Sequence, residues 1–113
     1  RPGARLVVTR GVQGGTVIDI DAGSGAAARS SGYAARPVGP EVDATGAGDT
    51  FLAALMAAAL RPELLGDGRG SRDADVRFAA VAASLTVGAR GLGGIGDLAA
   101  VQALSDSADP RCL

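Results

Sequence analysis

Residues 43–60 read Asp-Ala-Thr-Gly-Ala-Gly-Asp-Thr-Phe-Leu-Ala-Ala-Leu-Met-Ala-Ala-Ala-Leu and contain the most informative pattern of the chain. The first seven residues are small or acidic, and the segment from Phe51 to Leu60 is apolar on every side. We therefore predict a tight loop that leads into a buried helix, which Pro62 ends. Small residues let a backbone approach a ligand closely, and the unpaired N–H groups at a helix start attract anions. The pattern thus predicts an anion site.

Asp49 is an unusual neighbour for an anion site, because its carboxylate would repel a bound phosphate. It would be explained if Asp49 accepted the proton of a hydroxyl group that attacks a phosphoryl group. Phosphoryl transfer depends on such positioning and on electrostatics more than on covalent chemistry. The alternative is structural: Asp49 complements the dipole of the following helix, and Gly46 and Gly48 are turn residues only.

Upstream of this loop the sequence predicts strands. Two β-branched runs, residues 5–9 and 16–20, flank a loop with three glycines, which is typical of a hairpin. We expect the first of these strands to be buried. Residues 21–32 are rich in Gly, Ser and Ala and predict a loop, and residues 33–38 predict a third strand, although Pro37 places it at an edge.

Downstream of the loop the sequence predicts helices. Apolar residues at helical spacing predict a helix over residues 73–87, followed by a glycine-dense loop over residues 88–96. A short closing helix is expected over residues 97–104, and residues 105–113 are expected to form a frayed tail.

The residue types that the chain lacks exclude several kinds of site. It has no His and no Lys, and its one cysteine is Cys112. A Ser-His-Asp or Cys-His nucleophile, a His-bearing zinc site, a Schiff-base lysine and a Walker-A lysine are therefore impossible within this chain. A single cysteine also excludes an internal disulfide.

The length and the charge of the chain exclude further classes of protein. The 113 residues, 47% of them hydrophobic, suffice for one compact domain and not for two. The net charge is −1 and the arginines are scattered, so we expect no nucleic-acid partner. No apolar run reaches the roughly 20 residues that a membrane-spanning helix needs, and no signal-peptide pattern is seen. We therefore expect no membrane partner and a cytoplasmic location.

The run from Asp43 to Phe51, with the small-residue helix after it, closely resembles the second signature of the ribokinase-like (PfkB-type) sugar and nucleoside kinases. Residues 8–15 resemble the family's nucleotide-binding hairpin, and residues 77–91 resemble the helix and loop that close the adenine side. The resemblance covers residues 5–104. It implies an α/β fold, the C-terminal part of a Rossmann-like, three-layer ribokinase-type fold, with residues 1–113 as a single partial domain.

The resemblance also implies roles for individual residues. Asp49 would be the catalytic base that faces the acceptor hydroxyl. The backbone N–H groups of three residues would form an anion hole for the transferred phosphoryl group: Ala47, Gly48 and Asp49. The nucleotide would be bound by Thr9, Gly11, Gly14, Gly48 and Ala80.

A potassium site is implied as well. Asp43 and Thr45 match positions that help to hold potassium in many family members. The other ligands would be mostly carbonyl groups around Thr86, Ala89 and Gly91. Two residues depart from the family pattern: Ile95 stands where members often carry a polar side chain near the ion, and Ala80 stands where many have Asn or His near the adenine.

These features together predict ATP-dependent phosphoryl transfer, assisted by Mg²⁺, to a hydroxyl group of a sugar or nucleoside-like substrate. The family's sugar-binding glycines and its Asn-x-x-Glu magnesium motif lie upstream of the matched segments, and this chain has no Asn at all. We therefore expect the chain to be the ATP-side third of a kinase and to be inactive alone. The alternative is a truncated or degenerate nucleotide-binding module. The resemblance leaves a homodimer of the full-length protein open.

A second glycine motif matches the fingerprint of a different class of protein, although we interpret it as a flexible loop near the adenine or as a plain loop. Residues 91–96, Gly-Leu-Gly-Gly-Ile-Gly, fit the Gly-x-Gly-x-x-Gly fingerprint of dinucleotide-binding oxidoreductases. That fingerprint requires a strand before it, a helix after it and an acidic residue about 20 positions further on. An oxidoreductase fragment is therefore a second alternative, and it requires a strand that leads into Gly91.

Overall fold

A computed structural model describes residues 3–20, 28–70 and 73–106 of the chain. The chain forms two compact units, Arg1–Ala35 and Arg36–Leu113. The strands lie in the first unit and the three α-helices in the second, so the architecture combines a sheet with helices.

The sheet unit contains three antiparallel strands in the order β1–β2–β3. Strands β1 (Ala4–Thr9) and β2 (Gly15–Ile20) form the predicted hairpin, which a short 3₁₀ turn at Gly11–Gln13 closes. Strand β3 (Ala28–Tyr33) pairs with β2 from Gly15↔Tyr33 to Ile20↔Ala28.

The position of β3 corrects two predictions. The third strand was placed at residues 33–38, but the paired strand ends at Tyr33. The sequence predicts a loop over residues 28–32 because Ser30, Ser31 and Gly32 lack an apolar pattern, but the backbone of these residues pairs with β2. The remainder of the predicted loop, residues 21–27, lies outside the described residues.

One side of the sheet carries an ion-paired carboxylate. Asp19 lies between two arginines: Arg5 Nε donates to Oδ1 at 2.7 Å, and Arg29 Nη2 donates to Oδ2 at 3.2 Å. The hydrogen bond from Arg5, followed by the charges of both arginines, holds the pKa of Asp19 below its usual value. The pairs join β2 to both of its neighbours, because Asp19 lies opposite Arg5 and Arg29 in the register.

The other side of the sheet exposes apolar side chains among the described residues. Alternation along the strands places Leu6, Val8 and Ile20 on the same side, and all three side chains are exposed. The expectation that β1 is buried was therefore wrong for the described residues. Its β-branched composition predicts a strand correctly but does not show what covers the strand.

The helical unit contains α1 (Ala47–Leu60), α2 (Ala74–Thr86) and α3 (Leu98–Asp106). Short 3₁₀ segments at Pro62–Gly70 and Gly91–Gly94 connect them. Pro62 lies two residues after Leu60, the last residue of α1, as expected of a residue that lacks an N–H donor. None of the described helices is long and apolar enough to cross a membrane.

The core of the helical unit lies where the three helices meet. Ala58, Phe78, Val81, Ala82 and Val101 form its buried cluster, and leucines from the connecting segments pack against them. Small side chains on α1 and α2 let the two backbones come close, so a core with few aromatics can still be dense. Helix α2 is buried on most of its surface, as its apolar pattern predicts.

Helix α1 is less buried than its composition predicts. Only Phe51 and Ala58 are buried, while Leu52, Met56 and Leu60 form an exposed stripe. These three residues are four positions apart and therefore share one face of the helix. Within residues 3–20, 28–70 and 73–106, no side chain covers that stripe.

We predict that the isolated chain self-associates. Its exposed stripe on α1 and its open sheet side are the kind of apolar surface that soluble monomers bury. Size-exclusion chromatography with light scattering should show species larger than the monomer, and a coupled ADP assay should show no sugar phosphorylation. A well-behaved monomer that phosphorylates a sugar would contradict this prediction.

Candidate active site

Gly46 lies at the start of α1 in a conformation that suits glycine. Its φ of 83° and ψ of −2° are left-handed, where other residues are strained. The carbonyl of Gly46 accepts the N–H of Thr50 at 2.9 Å, so the helix begins immediately after the left-handed residue. We call residues 43–49 the anion loop.

The three proposed anion-hole residues form the first turn of α1. Ala47 donates its N–H to the carbonyl of Ala44 at 3.2 Å, so this donor is already engaged in a turn. Within the described part of the chain, the N–H groups of Gly48 and Asp49 have no backbone acceptor. Both residues are exposed. The geometry therefore favours Gly48 and Asp49 over Ala47 as donors to an anion.

Gly48 borders open space. A Cβ built on this residue would meet no atom of the described chain within 4 Å. Steric crowding within the protein is therefore not the reason for a glycine at this position. A ligand that approaches the backbone closely would require it, and the position at a helix N-terminus suits an anionic ligand.

The carboxylate of Asp43 joins two segments. Its Oδ1 accepts the N–H of Thr45 at 2.9 Å, and its Oδ2 accepts the N–H of Gly91 at 3.0 Å. The hydrogen bond from Gly91, followed by those from Thr45, holds the pKa of Asp43 below its usual value. Asp43 thus remains ionised to a lower pH than an ordinary aspartate.

The backbone connects the same two segments. The N–H groups of Val42 and Asp43 both donate to the carbonyl of Val87, at 2.7 and 3.1 Å. Thr86 is buried, its hydroxyl donates to the carbonyl of Ala82 at 3.0 Å, and its Cγ2 lies 4.0 Å from the place of a Cβ on Gly46. We call residues 86–91 the α2 turn; the anion loop packs directly on it.

The residues predicted to hold potassium carry oxygen atoms of the types that this ion binds. Asp43, Thr45 and Gly91 are brought together by hydrogen bonds, and Thr86 lies beside Gly46. The carboxylate and hydroxyl oxygens of Asp43 and Thr45 and the backbone carbonyls of the other residues are oxygen donors, and backbone carbonyls are known ligands of potassium. Among the described residues, no group of three or more His, Cys, Asp or Glu side chains could hold a metal.

The Gly91–Gly96 segment does not support a dinucleotide fingerprint. Helix α2 and the α2 turn precede it, where the fingerprint needs a strand. The oxidoreductase alternative is therefore excluded. The segment instead packs on the end of α2, because a Cβ on Gly94 would collide with the carbonyl oxygen of Thr86 and lie 2.9 Å from that of Leu85.

We predict that Gly94→Ala destabilises the protein while Gly93→Ala does not. A methyl at Gly94 must displace backbone, and overpacking of this kind costs about 1–3 kcal/mol. A methyl at Gly93 would meet the Ala89 Cβ at 3.8 Å, which is ordinary contact. Urea denaturation measures both; equal stabilities of the two variants would show that the segment does not pack on α2.

The predicted nucleotide-binding residues other than Gly48 lie in both units. Thr9 ends β1 opposite Gly15, and Gly11 has a φ of 56° with no atom within 4 Å of an added Cβ. Gly14 has a structural reason to be glycine, since a Cβ there would collide with the backbone of β3 and lie 3.1 Å from Ala34 Cα. Ala80 lies in α2 and is 5% exposed. Its methyl is therefore packed inside the protein and offers no accessible surface to an adenine.

The sequence missed two contacts of this site. The hydrogen bonds between the anion loop and Val87 involve backbone atoms only, which no residue type reveals. The contact of Gly94 with the end of α2 has one signal, the density of glycines over residues 88–96, but this signal does not distinguish a packed glycine from a loop glycine.

Comparisons with known proteins identify the family of this chain. The sequence profile of the pfkB family carbohydrate kinases matches residues 2–96. Ribokinase from Arabidopsis thaliana, solved in complex with ribose and ATP, is 30% identical and superposes with a TM-score of 0.70 over 92% of this chain. Ribokinase from Giardia lamblia is 26% identical, with a TM-score of 0.57 over 91% of this chain. No curated protein sequence gives a significant match.

The chain spans about a third of each ribokinase, 30% of the Arabidopsis protein and 32% of the Giardia protein. The superposition confirms the expected α/β fold of ribokinase type. The family profile covers most of the chain, from the start of the hairpin to the end of the glycine-dense segment. The chain therefore belongs to the pfkB family of carbohydrate kinases.

Proposed function

We propose that the complete protein transfers the terminal phosphoryl group of ATP to a hydroxyl group of a sugar. The single observation that carries this proposal is the arrangement at the start of α1. An exposed carboxylate, Asp49, stands in the same helical turn as the unpaired N–H groups of Gly48 and Asp49. A base next to a site for a phosphoryl group is what transfer to an alcohol needs.

In the proposed reaction, the hydroxyl oxygen of the sugar forms a bond to the γ-phosphorus as the bond from that phosphorus to the β,γ-bridging oxygen breaks. The hydroxyl proton passes to a carboxylate oxygen of Asp49, and ADP leaves. The N–H groups of Gly48 and Asp49 donate to the phosphoryl oxygens as negative charge spreads over them. The dipole of α1 adds to this stabilisation.

We propose that the nucleotide is bound on the hairpin by Thr9, Gly11 and Gly14 and at the start of α1 by Gly48. Ala80 contributes through the packing of α2, since its side chain is buried. Mg²⁺ bound with ATP would neutralise phosphate charge. Potassium would be held by Asp43, Thr45, Thr86, Ala89 and Gly91.

The similarity of this chain to the Arabidopsis ribokinase, which was solved in complex with ribose and ATP, supports a pentose or related sugar as acceptor. The second candidate function is a nucleotide-binding module without activity of its own. This candidate is favoured because the chain spans only 30% of the Arabidopsis ribokinase. The groups described here would act on the phosphate side of the reaction.

A phosphorylation screen tests the proposal. The complete protein is incubated with ATP, Mg²⁺ and K⁺ over pentoses, hexoses and nucleosides, and ADP release is followed by a coupled assay. Phosphorus NMR of the product should show a new phosphate ester for at least one sugar. ATP binding without any ester across the panel would support the binding module instead.

A further inference from the structure

The anion loop is attached to the α2 turn by contacts of three kinds. Backbone N–H groups of Val42 and Asp43 share the carbonyl of Val87. The side chain of Thr86 packs beside Gly46. The third contact is the hydrogen bond from the Gly91 N–H to Asp43 Oδ2, 3.0 Å long, which joins residues 48 positions apart. The first holds the start of the loop and the second contacts its middle, and of the three only the third comes from an ionised side chain.

Asp43 performs two tasks with one carboxylate. Oδ1 fixes the loop locally by accepting the N–H of Thr45, while Oδ2 reaches the α2 turn. Hydrogen bonds to an ionised acceptor are stronger than those between neutral groups. An asparagine in this place offers a single acceptor oxygen, and its NH₂ group cannot accept the second N–H. The aspartate is thus the residue that can satisfy both donors.

We propose that Asp43 is a positioning residue whose carboxylate cross-links the anion loop to the α2 turn and thereby orients the N–H groups of Gly48 and Asp49. The cross-link consists of direct hydrogen bonds from backbone N–H groups to the carboxylate, so its geometry needs no cation as a bridge. Its effect on catalysis rests on the proposed function; its effect on the structure does not. The competing view is that Asp43 acts only as a ligand of potassium.

Hydrogen exchange in a buffer free of potassium and sodium separates the two views. The complete protein is prepared without nucleotide, with choline as the monovalent cation, as wild type, Asp43→Asn and Asp43→Ala. Exchange of the Gly91 and Thr45 amides is read by NMR. We expect the Gly91 amide to exchange roughly tenfold faster in Asp43→Ala and by an intermediate factor in Asp43→Asn.

Asp97→Asn is the matched control. The Asp97 carboxylate is exposed and also accepts one backbone N–H, that of Ala100 at 2.8 Å, at the start of α3. This variant should leave the exchange of Gly91 and Thr45 unchanged. Unaltered exchange of Gly91 in Asp43→Ala overturns the cross-link, even if that variant no longer responds to potassium. If Asp43→Ala does not fold, the exchange of the Gly91 amide is compared between wild type and Asp43→Asn, which is nearly isosteric with it.

Kinetics test the second half of the proposal. With the cross-link broken, kcat should fall on the order of tenfold with little change in KM for ATP, because a misplaced N–H donor stabilises the transition state less while ground-state binding of ATP is little affected. Saturating potassium should not restore kcat, and Asn should restore part of what Ala loses. Faster exchange with an unchanged kcat would overturn the positioning role. A wild type that shows the cross-link but phosphorylates nothing would refute the proposed function alone.

Discussion

Asp49→Asn in the complete protein should fold normally, bind ATP, and lose on the order of 10²–10⁴-fold in kcat. Asn keeps the shape of the side chain but cannot accept the proton of the attacking hydroxyl. The side chain is exposed in the first turn of α1, so its replacement leaves no buried group unpaired. A coupled ADP assay measures kcat, and calorimetry measures the dissociation constant of ATP.

Asp97→Asn provides the control, because Asp97 is likewise an exposed acidic residue at the start of a helix, α3. A carboxylate that only complements a helix dipole contributes about 0.3–1 kcal/mol of stability. If Asp49 had only that role, both variants would lose similar small amounts of stability and keep their kcat. A loss confined to KM for ATP would likewise remove Asp49 from the chemistry.

Gly48→Val should abolish transfer while the protein remains folded. A Cβ on Gly48 would meet nothing outside its own helical turn within 4 Å, so the protein has room for a side chain there. That side chain would occupy the space in which we propose that the phosphoryl oxygens approach the helix. Losing one donor to a developing oxyanion costs about 10²–10³-fold in kcat, and blocking the approach adds to that loss. Steady-state kinetics and ATP binding should both report the damage.

Stability is the readout that makes this variant informative. Gly48 lies inside α1 without a positive φ, so valine there should leave the melting temperature unchanged or raise it slightly, since valine is a somewhat better helix former than glycine. Gly93→Ala, which adds a methyl in the other glycine-rich segment, should keep full activity. Equal loss of activity in both variants would place the phosphate site elsewhere.

Much of the helical unit could be predicted from the sequence. The change from small residues to an apolar run predicts a helix over residues 51–60, and α1 is found at Ala47–Leu60, so it begins four residues earlier than predicted. Helix α2 is found at 74–86 against a predicted 73–87. The closing helix is found at Leu98–Asp106 against a predicted 97–104. Helix periods and caps are local properties, so a single sequence reveals them.

Features that depend on distant partners could not be predicted. Strand β3 has little apolar character and forms because β2 offers it a backbone edge. The exposed stripe on α1 and the buried Ala80 depend on which surfaces meet, and composition alone does not carry that information. For the candidate site, the sequence located Asp43 and Gly91 but not the hydrogen bond between them.

The order of the strands has a consequence for how the protein folds. Each strand of the sheet pairs with its neighbour along the chain, and no two paired residues are further apart in sequence than Gly15 and Tyr33. The entropy lost in closing a loop grows with its length, so these pairings form with a small loss of chain entropy. Proteins dominated by such local contacts fold quickly. The hairpin should therefore form early, whereas the Asp43–Gly91 contact must await the docking of α1 on α2.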